Sequence, residues 1–205
     1  MNCDPIARWY RWLEYIGFGR ALERRRTAFL SDVADARRVL LLGDGDGRFL
    51  EKLVPLTFAR PGAAIDYVDI SPRMLDLARR RVGNRVNYHL ADALSLPLPA
   101  AEFDLIVTHF FLDCFDDHDA ARLVERVASS AAPHARWLIS EFRESGWLAR
   151  RLIAALYRFF RVTTGLKTTR LIDHHPLLAR AGFTLEKFES ARAGMLVSEL
   201  WRRVT

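Results

Sequence analysis

A continuous apolar run that ends in a glycine-rich turn constrains the fold of this chain more than any other feature. Residues 39–42 read Val-Leu-Leu-Leu, and Gly43, Gly45 and Gly47 follow at once. A strand that is buried on both faces has such an uninterrupted apolar composition, whereas a strand with one face in water alternates. Glycines directly after the strand allow the backbone to turn sharply and to approach a ligand closely. The segment therefore predicts a central parallel strand that leads through a tight turn into a helix.

Strand-like and helix-like segments alternate along most of the chain. Apolar runs predict further strands at 65–68, 86–90, 103–108, 136–141, 183–189 and 195–202. Helical periodicity and end signals predict helices at 5–30, 47–54, 72–81, 117–130, 147–162 and 173–182. The first of these segments is either one helix or two short helices around Gly17 and Gly19. This alternation is typical of an α/β fold in which right-handed crossovers build a parallel sheet. Only a short turn at Ala193 and Gly194 separates the last two strands, so we expect them to form an antiparallel hairpin at the sheet edge.

Specific residues mark three of the predicted helix ends. Ser71 precedes Pro72, which combines an N-cap residue with a proline at the first helical position. Pro55 is expected to end the helix that begins near residue 47, because proline lacks the N–H that would continue it. Asp173 is expected to cap the short helix that ends at Gly182.

Composition places the chain among ordinary globular proteins. Half of the 205 residues are hydrophobic and 27% are charged. We therefore expect a single domain over 1–205, with a helical N-terminal cap at 1–35 and a helical insertion on the substrate side at 143–175. Cys3 and Cys114 belong to no Cys/His cluster, so neither a disulfide scaffold nor a metal site is expected. The absence of a signal peptide and of a membrane-length apolar stretch favours a cytoplasmic protein.

The net charge of +6 comes almost entirely from arginine. A basic balance permits nucleic acid, an anionic membrane or an acidic substrate as a partner, and it does not choose among them. A solvated, arginine-rich surface is the simplest explanation of this charge.

Two aspartates follow the second and third predicted strands. Asp69 lies 22 residues after Gly47, where a carboxylate can accept both hydroxyls of a ribose. Asp92 follows the third strand, where it can accept an adenine amino group beside the Ala93 N–H. Either aspartate alone is commonly a turn or cap residue, but both join the glycine turn at the sheet edge where open α/β folds bind ligands. Arg48 stands where a dinucleotide-binding GxGxxG motif has its last glycine, so a nicotinamide dehydrogenase is disfavoured.

The glycine turn, Asp69, Asp92 and the block from Leu96 to Val107 together resemble a class I S-adenosylmethionine-dependent methyltransferase. The resemblance covers 38–142 and is greatest to the ubiquinone/menaquinone-type small-molecule subgroup. It implies a doubly wound, Rossmann-like three-layer sandwich, whose seven-stranded and mostly parallel sheet has the order 3-2-1-4-5-7-6 with an antiparallel last strand. It also implies methyl transfer by in-line displacement from S-adenosylmethionine, which leaves S-adenosylhomocysteine, to a small and lipophilic or aromatic acceptor.

The same resemblance implies which residues surround the donor. Glycine-loop residues would wrap its amino-acid and sugar portions, Asp69 would hold the ribose, and Asp92 would accept from the adenine amine. Tyr10 would lie over the methionine end, and Thr108 and His109 would lie beneath it. The residues implied for donor binding are Tyr10, Gly43, Asp44, Gly45, Gly47, Asp69, Ile70, Met74, Asp92, Ala93, Thr108 and His109.

Leu41 departs from the family pattern, which has Asp or Glu two residues before the first glycine. A carboxylate near the donor's sulfonium and ammonium groups is therefore missing at this position. Asp44 or Asp46 could substitute for it. The departure also leaves open a non-catalytic module that binds S-adenosylmethionine.

Candidate general bases lie near the ends of the fourth and fifth strands. His109 is the best placed, although packing beneath the donor explains it more simply. Asp113 and Glu141 are further candidates, but a loop-stabilising role for Asp113 and a backbone-orienting role for Glu141 explain them more simply. His174 and His175 could face a pocket, and the start of a short helix also accounts for them.

The acceptor side of the predicted sheet is aromatic. Residues 108–111 read Thr-His-Phe-Phe where nucleic-acid amino methyltransferases often carry an Asn/Asp-Pro-Pro-aromatic motif, so methylation of a nucleic-acid base is the less favoured alternative. In the predicted helix 147–162, four arginines fall within about 100° of the helical wheel and the other faces are apolar. That helix could be a lid, the roof of the substrate pocket or a peripheral contact with an anionic membrane. The arginines are Arg150, Arg151, Arg158 and Arg161.

Overall fold

Seven strands form one mixed sheet in the computed structural model, which describes residues 20–144, 146 and 171–204. The strands are β1 (Arg38–Leu42), β2 (Ala64–Asp69), β3 (Asn87–Leu90), β4 (Phe103–His109), β5 (Ala131–Phe142), β6 (Phe183–Ala191) and β7 (Leu196–Arg203). The helices are α1 (Ala21–Arg26), α2 (Arg48–Thr57), α3 (Pro72–Val82), α4 (Asp117–Ser130) and α5 (His175–Arg180). Short 3-10 turns lie at Ser31–Val33, Gly83–Arg85 and Leu112–Cys114.

The strand order β3-β2-β1-β4-β5-β7-β6 confirms the predicted topology. Neighbouring strands from β3 to β5 pair in parallel, whereas β7 runs antiparallel to both β5 and β6. The winding direction of the chain reverses between β1 and β4. Open α/β sheets bind ligands beyond the carboxyl ends of the strands at such a point, so the topology alone places a candidate site there.

The central strand β1 is buried on both faces, as its apolar run predicts. Val39 and Leu41 pack in one hydrophobic layer with α2 and α3, and Leu40 and Leu42 pack in the other with α4 and α5. All four side chains are at most 1% exposed. The sheet is therefore the middle layer of a three-layer sandwich.

The prediction that Pro55 ends the second helix is wrong, since α2 continues through Pro55 to Thr57. The side chains of Val54 and Thr57 are buried, and the Val54 carbonyl accepts from the Phe58 N–H at 3.0 Å. Burial of these residues against the sheet layer outweighs the backbone hydrogen bond that proline cannot make.

Other predicted boundaries are shifted or confirmed by local contacts. Ser71 caps α3 as predicted, with its Oγ accepting from the Met74 N–H at 3.1 Å. The N-cap residue of α5 is His174 and not Asp173, whose Oδ1 instead accepts from the His175 N–H at 3.2 Å. In the described part of the predicted helix 5–30, α1 ends at Arg26, and the hydroxyl of its C-cap residue Thr27 donates to the Glu23 carbonyl at 3.0 Å. The predicted helix 147–162 lies outside the described residues.

Candidate active site

A cavity of about 290 Å³ opens at the carboxyl edge of the sheet, where the winding of the chain reverses. Its walls come from the glycine loop at 43–46, the end of β2 at 68–70, the turn after β3 at 92–94, and residues 109–111 and 114–116 at and after the end of β4. Arg26 of α1, Met74 of α3 and Asp119 of α4 also line the cavity. The volume is close to the lower end of the range for small-molecule sites, which is about 300–1,000 Å³.

The glycine loop brings its backbone to the cavity because it carries no side chains at two left-handed positions. Gly43 has φ +65° and Gly45 has φ +66°. A Cβ built on Gly43 would lie 2.3 Å from Cδ2 of Phe111, whereas a Cβ on Gly45 would have no neighbour within 4 Å. Gly47 has another role, since its Cβ would lie 2.8 Å from that of Ala78, and it therefore permits α2 to pack closely on α3.

Both loop aspartates line the cavity, and their partners differ. Buried Asp44 accepts from the Leu50 N–H at 3.1 Å, which ties the loop to the first turn of α2. Asp46 is paired with Arg48 at 3.0 Å and with Arg81 at 3.1 Å. The negative charge of Asp46 is thus compensated by two guanidinium groups.

Tyr67 braces the glycine loop, and it was not predicted from the sequence. Its hydroxyl lies 2.6 Å from the Gly45 carbonyl oxygen and 3.2 Å from Oδ2 of Asp69. Burial, and then the negative charge of Asp69, raise the pKa of Tyr67 well above its usual value, so its hydroxyl keeps its proton. A tyrosine in a buried strand needs such a partner for its hydroxyl, which is the signal that could have identified it.

The predicted nucleoside-binding residues converge on one end of the cavity. Asp69 is half-buried and accepts from the Ser71 N–H at 2.9 Å, and exposed Asp92 accepts from the Leu94 N–H at 2.9 Å. Ile70 is 45% exposed and lines the cavity, as expected of an apolar side chain that a ligand would cover. Met74 and Ala93 lie at the buried base of the same region.

His109 is buried in the cavity wall without a polar partner. It is 2% exposed, its ring packs edge-to-face on Phe49 at 4.6 Å, and neither ring nitrogen has a hydrogen-bond partner in the described part of the chain. Burial, and then the nearby positive charge of Arg26, lower the pKa of His109 well below its usual value. The imidazole is therefore neutral at pH 7. Thr108 lies outside the lining, where its Oγ1 accepts from the Trp137 indole N–H at 3.0 Å.

Arg26 is a second cavity residue that was not predicted from the sequence. Its side chain is almost fully buried, lines the cavity, and places the guanidinium carbon 5.2 Å from the centroid of the Phe110 ring. In the sequence it is one of three consecutive arginines, Arg24 to Arg26, and no pattern separates the buried one from its neighbours. It gives the wall beside His109 a positive charge.

Asp113 and Glu141 lie behind the cavity wall. Oε1 of Glu141 accepts from the N–H groups of Phe111 and Leu112 at 3.0 and 2.9 Å, and the carboxyl of Asp113 is buried beside that of Glu141. Burial raises the pKa of Asp113 to about 6, and burial together with the Asp113 charge raises that of Glu141 further above its usual range. Glu141 thus holds the backbone of the segment at 111–112, in agreement with the backbone-orienting role considered for it above. Asp113 lies at the end of this segment.

Several predicted residues are either not described by the structure or lie outside this cavity. Tyr10 and the arginines of 147–162 are outside the described residues, so their roles stay predictions. His174 and His175 do not line this cavity and instead meet Glu199 of β7. Among the described helices, none is both long enough and apolar enough to cross a membrane.

Comparisons with known proteins point in one direction. A family model described as a methyltransferase domain matches residues 39–134. A demethylmenaquinone methyltransferase from Thermus thermophilus is 33% identical over 131 residues, which cover 62% of this chain and 57% of that protein. The ubiquinone/menaquinone biosynthesis C-methyltransferase UbiE of Ectopseudomonas mendocina is 29% identical over 191 residues, covering 90% and 72% of the two chains.

Solved structures show the same fold. The N-methyltransferase NodS from Bradyrhizobium japonicum, in complex with S-adenosylhomocysteine, superposes with a TM-score of 0.66 at 17% identity, covering 90% of this chain and 88% of that one. The chain spans 57–60% of the length of the demethylmenaquinone methyltransferases from Thermus thermophilus and Tropheryma whipplei.

Proposed function

We propose that this chain is a class I S-adenosylmethionine-dependent methyltransferase and that it methylates a ring carbon of a small, lipophilic quinol. The names of its relatives, demethylmenaquinone methyltransferase and UbiE C-methyltransferase, support this acceptor class. The single observation that carries the proposal is the buried imidazole of His109, which has no polar partner and faces a cavity with aromatic walls.

The cavity suits the donor. Gly43 and Gly45 leave the loop backbone open to its amino-acid portion, while Asp69 and Asp92 offer carboxylates to ribose and adenine. When bound, S-adenosylmethionine supplies an electrophilic methyl group on its sulfonium. Leu41 is fully buried in the apolar layer, so the acidic residue that usually stands there has no counterpart at this position. We propose that Asp44, in the cavity wall, supplies the negative charge near the cationic donor, because Asp46 is already compensated by two arginines.

His109 can act on the acceptor. A quinol ring carbon becomes strongly nucleophilic when a ring hydroxyl loses its proton, and a neutral imidazole with available nitrogens can accept that proton. Arg26 would stabilise the resulting aryl oxide by its charge, and Phe110 and Phe111 would align the ring. The ring carbon would then bond to the methyl group as the bond from that group to sulfur breaks. The ring would regain aromaticity when its C–H proton passes to water, and the imidazolium of His109 would return its proton to the ring oxygen.

The lipophilic acceptor also suggests where the protein works. We propose a peripheral contact with an anionic membrane through the basic and apolar segment 147–162, which would bring the enzyme to an acceptor dissolved in lipid. We also propose a reducing, cytoplasmic location, which suits Cys114 because it forms no disulfide among the described residues.

Turnover tests the proposal. The purified chain, S-adenosylmethionine and a chemically reduced, short-chain demethylnaphthoquinone should yield S-adenosylhomocysteine and a ring-methylated product. Replacing His109 by Asn should lower kcat by about 10²–10⁴-fold and leave S-adenosylhomocysteine affinity within a few-fold. His134→Asn, at an exposed position with positive φ that Asn tolerates, is the matched control and should keep full activity. Binding of S-adenosylhomocysteine without turnover of any quinol, or an active His109→Asn variant, would overturn the proposal.

A further inference from the structure

Two adjacent histidines and a buried glutamate converge away from the cavity. His174 is the N-cap residue of α5, His175 is its first residue, and Glu199 lies in the middle of β7. The two Nε2 atoms lie 2.8 Å from different oxygens of the one carboxylate. One ligand atom from each of the three residues lies within 4.8 Å of the other two.

The donor set and its spacing fit a transition metal. Two imidazole nitrogens and one carboxylate are ligands that Zn²⁺ and other first-row divalent ions prefer. An ion about 2.0–2.2 Å from each ligand atom separates tetrahedral ligands by about 3.3–3.6 Å. The observed nitrogen–oxygen distances of 2.8 Å would therefore open by less than about 1 Å when the ion binds. The carboxylate is 1% exposed, while the His175 side chain is 44% exposed and leaves a path from solvent. Water can therefore reach a fourth coordination position.

The surroundings hold these groups in place before any ion arrives. The Trp201 indole N–H donates to Oε2 of Glu199 at 2.8 Å, and the Trp201 ring packs edge-to-face on His175 at 5.0 Å. Partners of this kind orient metal ligands in known sites. Burial alone would raise the pKa of Glu199, but hydrogen bonds from His174, His175 and Trp201 lower it to about 2, so the carboxylate is charged at pH 7.

We propose that His174, His175 and Glu199 form a binding site for one first-row divalent transition-metal ion, for which Zn²⁺ is the reference. The ion would lie between the two Nε2 atoms and the carboxylate, and each imidazole would bind it as a neutral ligand with its single proton on Nδ1. It ties the start of α5 to β7. This departs from the expectation that the chain has no metal site. Glu199 is 24 residues beyond His175, so the spacing of the sequence does not reveal the cluster.

The site is connected to the wall of the cavity. The buried carboxyl of Asp113 interacts electrostatically with His174 and is close enough to Glu141 to shift its pKa. Glu141 in turn holds the backbone N–H groups of Phe111 and Leu112. An ion that fixes the start of α5 therefore also restrains the aromatic segment beside His109, which is a positioning effect and not a chemical step.

Metal titration of the full chain tests the site. After removal of metals with a chelator, Zn²⁺ should bind with one equivalent per chain by calorimetry, and Co²⁺ should give visible absorption bands of a nitrogen- and oxygen-ligated ion. At 100 times its dissociation constant, Zn²⁺ should raise Tm by roughly 5–11 °C. His175→Ala removes a half-exposed ligand and Glu199→Gln removes the buried charge. Each should weaken Zn²⁺ binding at least about tenfold.

The matched control is His118→Ala. His118 lies beside Asp116 and Asp119 in an exposed cluster, the other place among the described residues where three such side chains approach one another. Its replacement should leave the stoichiometry and affinity for Zn²⁺ unchanged. The proposal is overturned if His175→Ala binds Zn²⁺ as tightly as the parent chain, if His118→Ala abolishes binding, or if millimolar Zn²⁺ leaves Tm unchanged. If Glu199→Gln does not fold, the Zn²⁺ affinity of His175→Ala alone still tests the proposed site.

Discussion

The two halves of the carboxyl edge of the sheet are built in different ways. Along β1 to β3, the candidate donor site consists of a glycine loop and two aspartates, each within a few residues of its own strand end. Along β4, β5 and β7, the opposite half depends on buried polar side chains that come from distant parts of the chain, such as Glu141 with Asp113 and Glu199 with His174. Local backbone geometry therefore defines the first half, and long-range packing of charges defines the second.

Gly43→Ala should have the largest effect on the donor half. The new Cβ meets the Phe111 ring at 2.3 Å, and the residue is held at φ +65°. We expect a loss of about 1–3 kcal/mol in the free energy of unfolding and a loss of S-adenosylhomocysteine affinity of at least about 100-fold, both measurable by denaturation and calorimetry. Gly62→Ala has a similar φ of +75° and open space around it, so it isolates the backbone strain. Equal losses in the two variants would show that close approach at Gly43 is unimportant.

Asp69→Ala should lower S-adenosylhomocysteine affinity by about 10–100-fold, since hydrogen bonds to a charged group contribute about 1.5–3 kcal/mol. Asp66→Ala removes a carboxylate from the same strand, outside the cavity lining, where it is bonded to His89 at 2.8 Å. Calorimetry gives the dissociation constant of each variant for S-adenosylhomocysteine, and only that of Asp69→Ala should rise. If both variants bind S-adenosylhomocysteine like the parent chain, Asp69 does not hold the ribose.

The buried carboxylates of the second half should give stability an unusual pH dependence. Because the pKa of Asp113 is raised to about 6 from 3.8, its contribution to stability is full at low pH and is lost as pH rises through about 6. The lowered pKa of His109 has the opposite effect, because it makes the protein more stable as pH rises. The effect of Asp113 is therefore measured as the difference in stability between the Asp113→Asn variant and the parent protein. Between pH 5 and 8, Asp113→Asn should gain stability relative to the parent by on the order of 1–3 kcal/mol, measured by urea unfolding. Parallel pH profiles for the two proteins would contradict this account of Asp113.

Tyr67→Phe should have the smallest effect of these variants. It tests whether the hydroxyl of Tyr67 stabilises the fold and whether it also supports binding of S-adenosylhomocysteine. Losing its contacts with Gly45 and Asp69 should reduce the free energy of unfolding by about 1 kcal/mol. It should also weaken S-adenosylhomocysteine binding a few-fold. Tyr88→Phe removes a comparable hydroxyl bond, to the Gly83 carbonyl at 2.8 Å, outside the cavity lining. An affinity loss in Tyr88→Phe as large as in Tyr67→Phe would mean that the loop needs no brace.

The same contrast explains what could be predicted from the sequence. The apolar run 39–42, the cap at Ser71 and the aspartates at strand ends are local features, and the structure places each of them as expected. The prediction that Pro55 ends its helix was wrong because that helix is stabilised by burial against the sheet and not by local preference. Arg26 and Glu199 gave no signal, since their partners lie far along the chain and neither belongs to a spaced motif. The ring of Phe111 over Gly43 is likewise a product of tertiary packing.

Thermal unfolding with excess S-adenosylhomocysteine tests most directly whether the β1–β3 edge binds the donor. At 100 times its dissociation constant the ligand should stabilise the fold by about 2.7 kcal/mol, which raises Tm by roughly 5–11 °C for a chain of this size. NAD at the same concentration should leave Tm unchanged, because Arg48 replaces the last glycine of a dinucleotide motif. An unchanged Tm at millimolar S-adenosylhomocysteine, or an equal rise with NAD, would contradict the account.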